Sequence, residues 1–315
     1  MNLGFKGYHP FVNALFFISV ITFGMLLRHP VCLAMSLIAS TVYYLRISGS
    51  IGRKTVFGFL FPMLLAVVII NSFCNHYGVT TLFTLPSGNS FTFEALASGL
   101  ASGVTVVSVI EWFFCFNEVV TQDKIMHVFG RVLPKGALVL SMILRFVPLY
   151  RQRYREISVA RRGFDRQKET DGFIGKIRAA CKNIGVLISW CFENAIETAD
   201  SMKSRGYGTG KRTFYSRFRW KTGDTLAMCA LSAADVAVGV GAALGKTYCI
   251  YNPYIIINPP TQGGTAYIIN ELNITFNSFT IGGMTTLAAY ILLCFLPLII
   301  DLTEDIKWNK LKSKI

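Results

Sequence analysis

Charged residues are scarce in this sequence of 315 residues. Asp, Glu, Lys and Arg make up only 15% of the chain, whereas hydrophobic residues make up 52% and the mean hydropathy is +0.47. An ordinary soluble domain carries about 25% charged residues, because its surface must be hydrated. The shortage of charge therefore excludes the soluble globular class and predicts an integral membrane protein.

Residues that build metal and catalytic sites are also few and dispersed. The four histidines, His9, His29, His76 and His127, stand alone, and none has the spacing of a metal-ligand pair. The eight cysteines include no CxxC pair and fall mostly in apolar segments, where they are expected to be buried as small hydrophobic side chains. We therefore expect no protein-built metal site, no cofactor, no catalytic centre and no nucleic-acid partner.

A complete phosphate-binding loop is missing as well. The stretch VGAALGKT, residues 240–247, ends like such a loop, but Val240 replaces the first glycine and the stretch follows an apolar run rather than a strand. The same region has small residues at every fourth position, which predict a smooth face for close helix packing. These residues are Ala233, Ala237, Gly241 and Gly245. Gly99 and Gly103 predict a similar face in an earlier apolar segment.

Long apolar runs are the most abundant feature that is present. Six of them approach the roughly 20 residues that a helix needs to cross a bilayer. They cover residues 11–27, 30–47, 56–74, 91–116, 224–245 and 280–300. The predicted fold class is therefore all-α, a polytopic membrane protein with about six transmembrane helices. The first two runs lie so close together that they form either separate spans or one tight hairpin.

Positive charge is concentrated in one region between the runs. Residues 122–221 contain 21 Lys and Arg against 8 Asp and Glu, which accounts for +13 of the net +14. Because cytoplasmic loops of membrane proteins are enriched in Lys and Arg, we predict that this region and, by alternation, both termini are cytoplasmic. The loop 76–90 and the segment 246–279 then lie outside.

The charge pattern divides the chain into three regions. Residues 1–116 hold the N-terminal transmembrane helices, residues 117–222 form a cytoplasmic layer of amphipathic helices, and residues 223–315 hold the C-terminal transmembrane helices. Within the last region, the external segment 246–279 contains the run YIIIN, which is typical of a strand. The sequence leaves open whether this segment is a strand-rich cap or a loop.

Three acidic residues fall within the apolar runs. Glu94 and Glu111 lie near the ends of a run, where we expect their carboxylates to reach water. Asp235 lies deeper in its run. An intramembrane carboxylate is either functional or a polar tie between helices, and the sequence leaves both roles open for Asp235.

Two amphipathic segments of the basic region end in an Arg-Gly step. The first, LRFVPLYRQRYREISVARRGF, reaches Arg162-Gly163, and the second, CFENAIETADSMKSRGYG, reaches Arg205-Gly206. Glycine readily adopts the left-handed conformation that ends a helix, so each arginine is predicted in the last turn, beside the negative end of the helix dipole. Two guanidinium groups on rigid helix tips are suited to docking onto acidic groups of a partner.

The start of the first amphipathic segment is apolar but is not a clear span. Its apolar stretch is short, and Arg145 and Pro148 would be unfavourable at membrane depth. We predict a helix that lies at the membrane interface and is kinked at Pro148.

The two Arg-Gly segments resemble the T component of energy-coupling factor (ECF) transporters, the EcfT/CbiQ family of transmembrane coupling subunits. The family pattern includes a small-Arg-Gly motif at the end of each of two coupling helices. Ser204-Arg205-Gly206 matches this motif. The resemblance is strongest over residues 133–207, and elsewhere it depends on the layout of the apolar runs.

The first copy of the motif departs from the family pattern. It is Arg161-Arg162-Gly163, with Arg161 in place of the small residue. The resemblance makes Arg162 the motif arginine and leaves the role of Arg161 open. Arg161 and Arg145 are candidates for supporting the coupling contacts.

The resemblance implies a mechanical function without catalysis by this chain. In such importers, two ATP-binding-cassette ATPase subunits hold the coupling helix tips, and ATP-driven closure moves a separate substrate-binding integral membrane (S) subunit. The imported substrate is a vitamin or a transition-metal ion such as cobalt or nickel, and the partner determines which. The resemblance also implies a multi-pass protein in the cell membrane of a prokaryote.

Two other functional classes remain open from the sequence. A self-contained channel or secondary carrier would favour paired intramembrane charges and repeated broken helices. A membrane-embedded enzyme would favour clustered His, Asp or Cys residues. The sequence has neither pattern, and it does not indicate the substrate or whether one S subunit or several are served.

Overall fold

The computed structural model describes residues 4–75, 78–84, 90–164, 173–207, 209, 218–247, 249–251, 255–257, 266–269, 274–277 and 281–312. The chain forms two compact units. The first combines Met1–Gln122 with Phe218–Ile315, and the second comprises Asp123–Arg217. The two predicted transmembrane regions therefore belong to one unit, and the predicted region 117–222 encloses the other.

Helices dominate the described residues, as the composition predicts. They are α1 (Pro10–Leu26), α2 (Pro30–Thr55), α3 (Phe61–Cys74), α4 (Phe93–Val119), α5 (Gln122–Val132), α6 (Pro134–Phe164), α7 (Phe173–Ser204), α8 (Thr222–Ala243) and α9 (Ile281–Lys312). A 3₁₀ turn, Gly4–Gly7, precedes α1, and a π-helical segment, Val56–Leu60, joins α2 to α3. The helical fold class is confirmed, and all six apolar runs form helices.

Two of the isolated histidines begin helices. His9 and His29 each precede a proline in the first helical position, and their Nδ1 atoms accept hydrogen bonds from the amides of Phe11 and Val31 at 3.4 and 3.3 Å. Proline suits this position because its missing N–H would have no partner within the helix. These His-Pro steps therefore determine where α1 and α2 start.

The helical segment from α2 to α3 reverses its direction. A straight helix over its 45 residues would be about 68 Å long. Instead Arg28, just before α2, and Asn75, just after α3, line the same cavity. Gly49 interrupts the helix with φ 55° and ψ −120°, a left-handed conformation that glycine adopts without a steric penalty.

Within the described residues, four helical segments are long and apolar enough to cross a membrane. These are Pro30–Cys74, Phe93–Val119, Thr222–Ala243 and Ile281–Lys312, and α1 is apolar but has only 17 residues. The membrane character is therefore supported by length and composition. The reversal between α2 and α3 is compatible with two crossings by the first segment, so the count of six spans remains a prediction.

One end of the first unit is held by polar contacts that involve the N-terminal segment and helices α2, α8 and α9. The amide of Phe5 donates to Asp301 Oδ1 at 2.6 Å, and the amide of His9 donates to Asp224 Oδ1 at 2.9 Å. Arg46, near the end of α2, forms ion pairs with Asp301 and Asp305. The N-terminal segment, the start of α8 and the second half of α9 thus meet at this end.

Small residues allow close helix packing, although only part of the predicted pattern is used. A Cβ atom on Gly99 would lie 3.1 Å from the carbonyl oxygen of Val68 in α3, and a Cβ atom on Gly241 would overlap Thr286 in α9. The predicted face on α8 is otherwise wrong, because Ala233 and Ala237 are exposed. The buried face of α8 is instead Leu231, Ala234, Val238 and Gly241.

Gly245 ends α8 instead of packing against a neighbour. It has φ 68°, its amide donates to Ala242 O, and the Lys246 amide donates to Gly241 O. This pair of hydrogen bonds is a Schellman C-cap. The stretch VGAALGKT is therefore a helix terminus and not a loop that precedes a helix, which confirms that its likeness to a phosphate-binding loop is superficial.

Short strands form two small sheets in the first unit. β1 (Thr81–Thr84) and β2 (Ser90–Thr92) are an antiparallel pair, and β3 (Cys249–Ile250), β4 (Ile255–Ile257), β5 (Ala266–Ile269) and β6 (Ile274–Asn277) form a sheet in the order β3-β4-β6-β5. Buried side chains of β3 and β4 pack against Phe93 and Ala97 at the start of α4. The segment 246–279 is thus rich in strands, which decides between the two alternatives that the sequence left open.

Candidate functional site

The candidate site lies on two long helices of the second unit, α6 and α7, which pack antiparallel. The Tyr150 and Trp190 rings meet edge to face with centroids 5.9 Å apart, and the Arg153 guanidinium lies 4.9 Å from the centroid of the Trp190 ring. Farther along α6, Arg161 Nη1 donates to Asn183 Oδ1 at 3.3 Å. Residues farther along α6 therefore contact residues that come earlier in α7, which means that the two helices run in opposite directions.

This antiparallel arrangement separates the two Arg-Gly steps. Asn183 is level with the C-terminal end of α6, and Arg205 lies 22 positions after Asn183, a distance of about 33 Å at the helical rise. The two steps therefore lie at opposite ends of the helix pair. A single compact partner surface would have difficulty covering both.

The tip of α7 has the predicted C-cap. Gly206 has φ 77°, its amide donates to Lys203 O at 3.0 Å, and the Tyr207 amide donates to Met202 O at 3.0 Å. These are the two hydrogen bonds of a Schellman motif with glycine in the left-handed position. The prediction that Gly206 ends its helix is confirmed.

The α7 tip presents its arginine to solvent. Arg205 is exposed, and within the described part of the chain no hydrogen bond or ion pair involves its guanidinium. The neighbouring Ser204 donates its hydroxyl hydrogen to Ser201 O at 2.9 Å. This local bond turns the serine back onto the helix and leaves the arginine as the group that a partner would meet.

The tip of α6 differs from the prediction. The helix continues through Gly163 to Phe164, and Gly163 does not have the left-handed conformation found at Gly206. The expectation that Gly163 terminates α6 is therefore wrong, because the helix can include a glycine when the following residues extend it. Arg162 is in the last helical turn as predicted, but its side chain lies outside the described residues, as do residues 165–172.

Arg161 and Arg145 have different surroundings. Arg161 is half-buried and bound to Asn183, which is itself buried, so it contributes to the contact between α6 and α7. Arg145 is exposed, with no polar partner among the described residues. The helix also continues through Pro148, since Pro134–Phe164 forms one element. A supporting role at the helix tips remains a prediction for both arginines.

The helix pair also exposes a large apolar surface. Along α7 most of the exposed apolar side chains, all except Val186, fall at helical spacing on one face. The exposed apolar side chains of α7 are Phe173, Ile174, Ile177, Ile184, Val186, Ile188, Phe192 and Ile196. A soluble monomer seldom leaves so extended an apolar surface in water, so this face indicates contact with a protein or with lipid.

Two of the three acidic residues in the predicted apolar runs, Glu94 and Glu111, are buried, contrary to the prediction. Glu94 is 0% exposed and accepts the Thr80 hydroxyl hydrogen at 2.6 Å, and Glu111 is 1% exposed and accepts from Ser40 and from Thr41, the latter at 2.8 Å. The expectation that Glu94 and Glu111 reach water is therefore wrong. Position in an apolar run does not reveal whether a neighbouring element covers a carboxylate.

Asp235 links two helices. Ser19 in α1 donates its hydroxyl hydrogen to Asp235 Oδ2 at 2.8 Å, so the carboxylate connects α8 to α1. This contact favours the polar tie between helices over a transport role. No group of three or more His, Cys, Asp or Glu residues that could hold a metal ion occurs among the described residues.

The C-cap at Gly206 predicts that substitutions at Gly206 and at Gly163 have different effects on stability. Gly206→Ala is expected to cost about 1 kcal/mol in stability of the helix terminus, and Gly206→Val to cost more, because a β-branched residue resists positive φ. Gly163→Ala is the matched control and is expected to be neutral or stabilising, since Gly163 is helical. Amide hydrogen exchange near residues 202–206 measures the effect, and equal protection in all three variants would contradict the assignment.

Comparisons with protein families and with curated proteins identified no relative of this chain. No protein-family model matches the sequence, and no curated protein matches it. The likeness of residues 133–207 to T components therefore remains a resemblance between motifs. The function is argued from the geometry of the helix pair and the composition of the first unit.

Proposed function

We propose that this protein is the transmembrane coupling subunit of an ECF-type importer. The main supporting observation is the pair of arginine-bearing helix tips at opposite ends of one antiparallel helix pair. Two separated cationic tips suit two copies of a partner, and the C-cap at Gly206 leaves Arg205 exposed for an acidic or carbonyl-lined groove. The apolar helices of the first unit supply the membrane anchor that such a subunit needs.

The proposed mechanism uses the helix pair as a rigid connection. Each of two ATP-binding-cassette ATPase subunits would hold one tip, with Arg162 in one groove and Arg205 in the other. When ATP binding brings the ATPases together, the tips must move closer or rotate. Packing of Tyr150 and Arg153 on Trp190 makes the two helices move as one body, so the movement reaches their full length.

The orientation in the membrane follows from charge. In this proposal the chain crosses the bilayer six times, and the end of the first unit that carries Arg46, Asp224 and Asp305 faces the cytoplasm. Both termini are then cytoplasmic, and the strand-rich segment is external. The second unit, with most of the excess positive charge, lies on the same side as the ATPases.

The exposed apolar face of α7 is the proposed contact with the S subunit or with the inner leaflet. The second unit has few buried hydrophobic side chains outside its helix pair, so the face cannot close a soluble core of its own. A partner that is itself hydrophobic would cover it. The substrate would then be bound and released by that partner, a vitamin or a transition-metal ion.

Charged substitutions on this face test the contact with the S subunit. Ile184→Lys and Ile188→Lys are expected to release the S subunit or to leave ATP hydrolysis without substrate uptake, because an unpaired charge would be buried in an apolar interface. Lys182→Glu, on an exposed polar position of the same helix, is the matched control and should transport normally. Normal uptake by the Ile184 and Ile188 variants would contradict the assigned face.

The composition of the native complex tests the proposed function directly. A tagged full chain purified from its own membranes should bring with it two ATP-binding-cassette subunits, identical or related, and one small hydrophobic membrane protein. Purified chain alone in liposomes should transport nothing. Unaided, solute-specific transport by the chain alone would instead establish a carrier or channel and overturn the proposal.

A further inference from the structure

A cavity lined by both polar and apolar side chains lies in the first unit. It has a volume of about 630 Å³, within the range of small-molecule sites, and its lining includes the exposed side chains of Met25 and Leu26 at the end of α1. Arg28, α3, α4 and β3 provide the other walls. The cavity is thus placed where α1 and α3 end and α4 begins.

Polar side chains converge on this cavity from two apolar helices. Ser98, Ser102 and Thr105 occupy positions i, i+4 and i+7 on one face of α4, and Asn71 and Asn75 are one turn apart at the end of α3. Side chains at these spacings share a helix face. Polar groups in membrane-like helices usually face a cavity or another helix, so this concentration on one cavity indicates a polar ligand.

The cavity has a positive electrostatic character. Arg28 is exposed, and it has no ion pair within the described part of the chain. It also lies two residues before Pro30, where the positive end of the α2 dipole adds to its charge. No Asp or Glu occurs among the described residues that line the cavity. An anionic group is therefore favoured beside Arg28.

The hydrogen-bonding groups of the walls define the rest of the ligand. Ser98 and Thr105 donate their hydroxyl hydrogens to the carbonyl oxygens of Ala95 and Ala101, at 3.1 and 2.8 Å, so their oxygen lone pairs remain for a ligand that donates. Asn71 and Asn75 share one hydrogen bond of 2.6 Å, which leaves amide hydrogens for a ligand that accepts. A ligand with both hydroxyl groups and an anionic oxygen fits this combination.

The neighbouring sheet closes one side of the cavity. The Tyr251 hydroxyl donates to the carbonyl oxygen of Arg28 at 2.9 Å, which ties the end of β3 to the connection between α1 and α2. Ile250, also in β3, lines the cavity, and the strands pack on the first turns of α4. The strand-rich segment thereby forms a wall of the site.

We propose that this cavity binds a hydroxylated phosphate ester, with the phosphate at Arg28 and the hydroxyl groups at Ser98 and Thr105. The head group of a phosphatidylglycerol lipid has this chemistry, and the exposed lining residues Met25 and Leu26 would border its acyl chains. A free polyol phosphate has the same polar groups without the chains.

Binding to the purified full chain in detergent tests the proposal. Native mass spectrometry and thermal unfolding would compare dioleoyl phosphatidylglycerol, dioleoyl phosphatidylcholine and sn-glycerol 3-phosphate. We expect phosphatidylglycerol to bind at least about tenfold more tightly than phosphatidylcholine. A difference of this size corresponds to about one charge-assisted contact, here the contact with Arg28. Comparable binding of glycerol 3-phosphate would support the free polyol phosphate as the source.

Matched variants locate the site. Arg28→Gln and Ser98→Leu are each expected to weaken phosphatidylglycerol binding about tenfold. The controls are Arg53→Gln, an exposed arginine elsewhere, and Ser232→Leu, whose hydroxyl makes the same 3.1 Å bond to a carbonyl three residues earlier but lies outside the cavity lining. The controls should bind as the parent does.

Three results would overturn the proposal. These are equal affinity of the parent for phosphatidylglycerol and phosphatidylcholine, unchanged binding in both cavity variants, and failure of both phosphate ligands to bind. The first result needs no variant, so a misfolded variant cannot hide it. Because the assay uses the chain without ATPases, its outcome is independent of the coupling function.

Discussion

Replacing both Arg162 and Arg205 with Ala is expected to abolish copurification with the ATPases while the protein remains inserted in the membrane. Each arginine would lose a charge-assisted contact worth on the order of 2 kcal/mol, and the acidic groups left in the grooves would be desolvated without a partner. The two losses together correspond to roughly a thousandfold in affinity. Pull-down with tagged ATPases and uptake into cells measure the effect.

The single variants and a control make this test specific. Because the tips lie at opposite ends of the helix pair, Arg162→Ala and Arg205→Ala should each weaken one of two ATPase contacts and should have nearly additive effects. Arg151→Ala removes an exposed arginine from the middle of α6, away from both tips, and should assemble normally. Normal assembly of the double variant would remove the basis for the coupling function.

Gly241→Val is expected to have the largest effect on the stability of the first unit. A Cβ atom at this position would overlap the side chain of Thr286, which is 3% exposed, β-branched and hydrogen-bonded to Gly282 O at 2.7 Å. The neighbour therefore cannot move away, and α8 and α9 must separate at a cost of about 1 to 3 kcal/mol or more. Thermal unfolding in detergent should show a lower midpoint.

Gly239→Val is the matched control for this prediction. Gly239 is two residues away in the same helix, and a Cβ atom there would meet nothing within 4 Å. Both variants carry the same change in helix propensity, so their difference isolates the contact with α9. Thr286→Gly should partly restore Gly241→Val, and equal midpoints for the Gly239 and Gly241 variants would refute close packing at Gly241.

The ends of helices were predictable where the signal is local. The left-handed conformation at Gly206 depends on a few neighbouring residues, and glycine is the residue that adopts it without a penalty. The same reasoning failed at Gly163, where α6 continues to Phe164. An Arg-Gly step permits a helix to end but does not require it, since the residues that follow decide whether the helix is extended.

Burial of polar groups was not predictable from the sequence. Glu94 and Glu111 are covered because Thr80, Ser40 and Thr41 approach from other segments, and these contacts join residues up to 71 positions apart. The small-residue face on α8 shows the same limit. Periodicity indicated that α8 packs closely, but the neighbouring helices selected the face with Leu231 and Gly241 rather than the one with Ala233.

The sequence by itself determined the membrane-like class, the helical segments, the basic region and the arginines at two helix tips. Each of these depends on composition or on residues within one or two helical turns. Only the tertiary structure decided that α6 and α7 run antiparallel, which separates Arg162 from Arg205, and that Arg28, Asn71 and Ser98 share a cavity. Such arrangements depend on contacts between distant segments, and chain order does not specify which faces of two helices will meet.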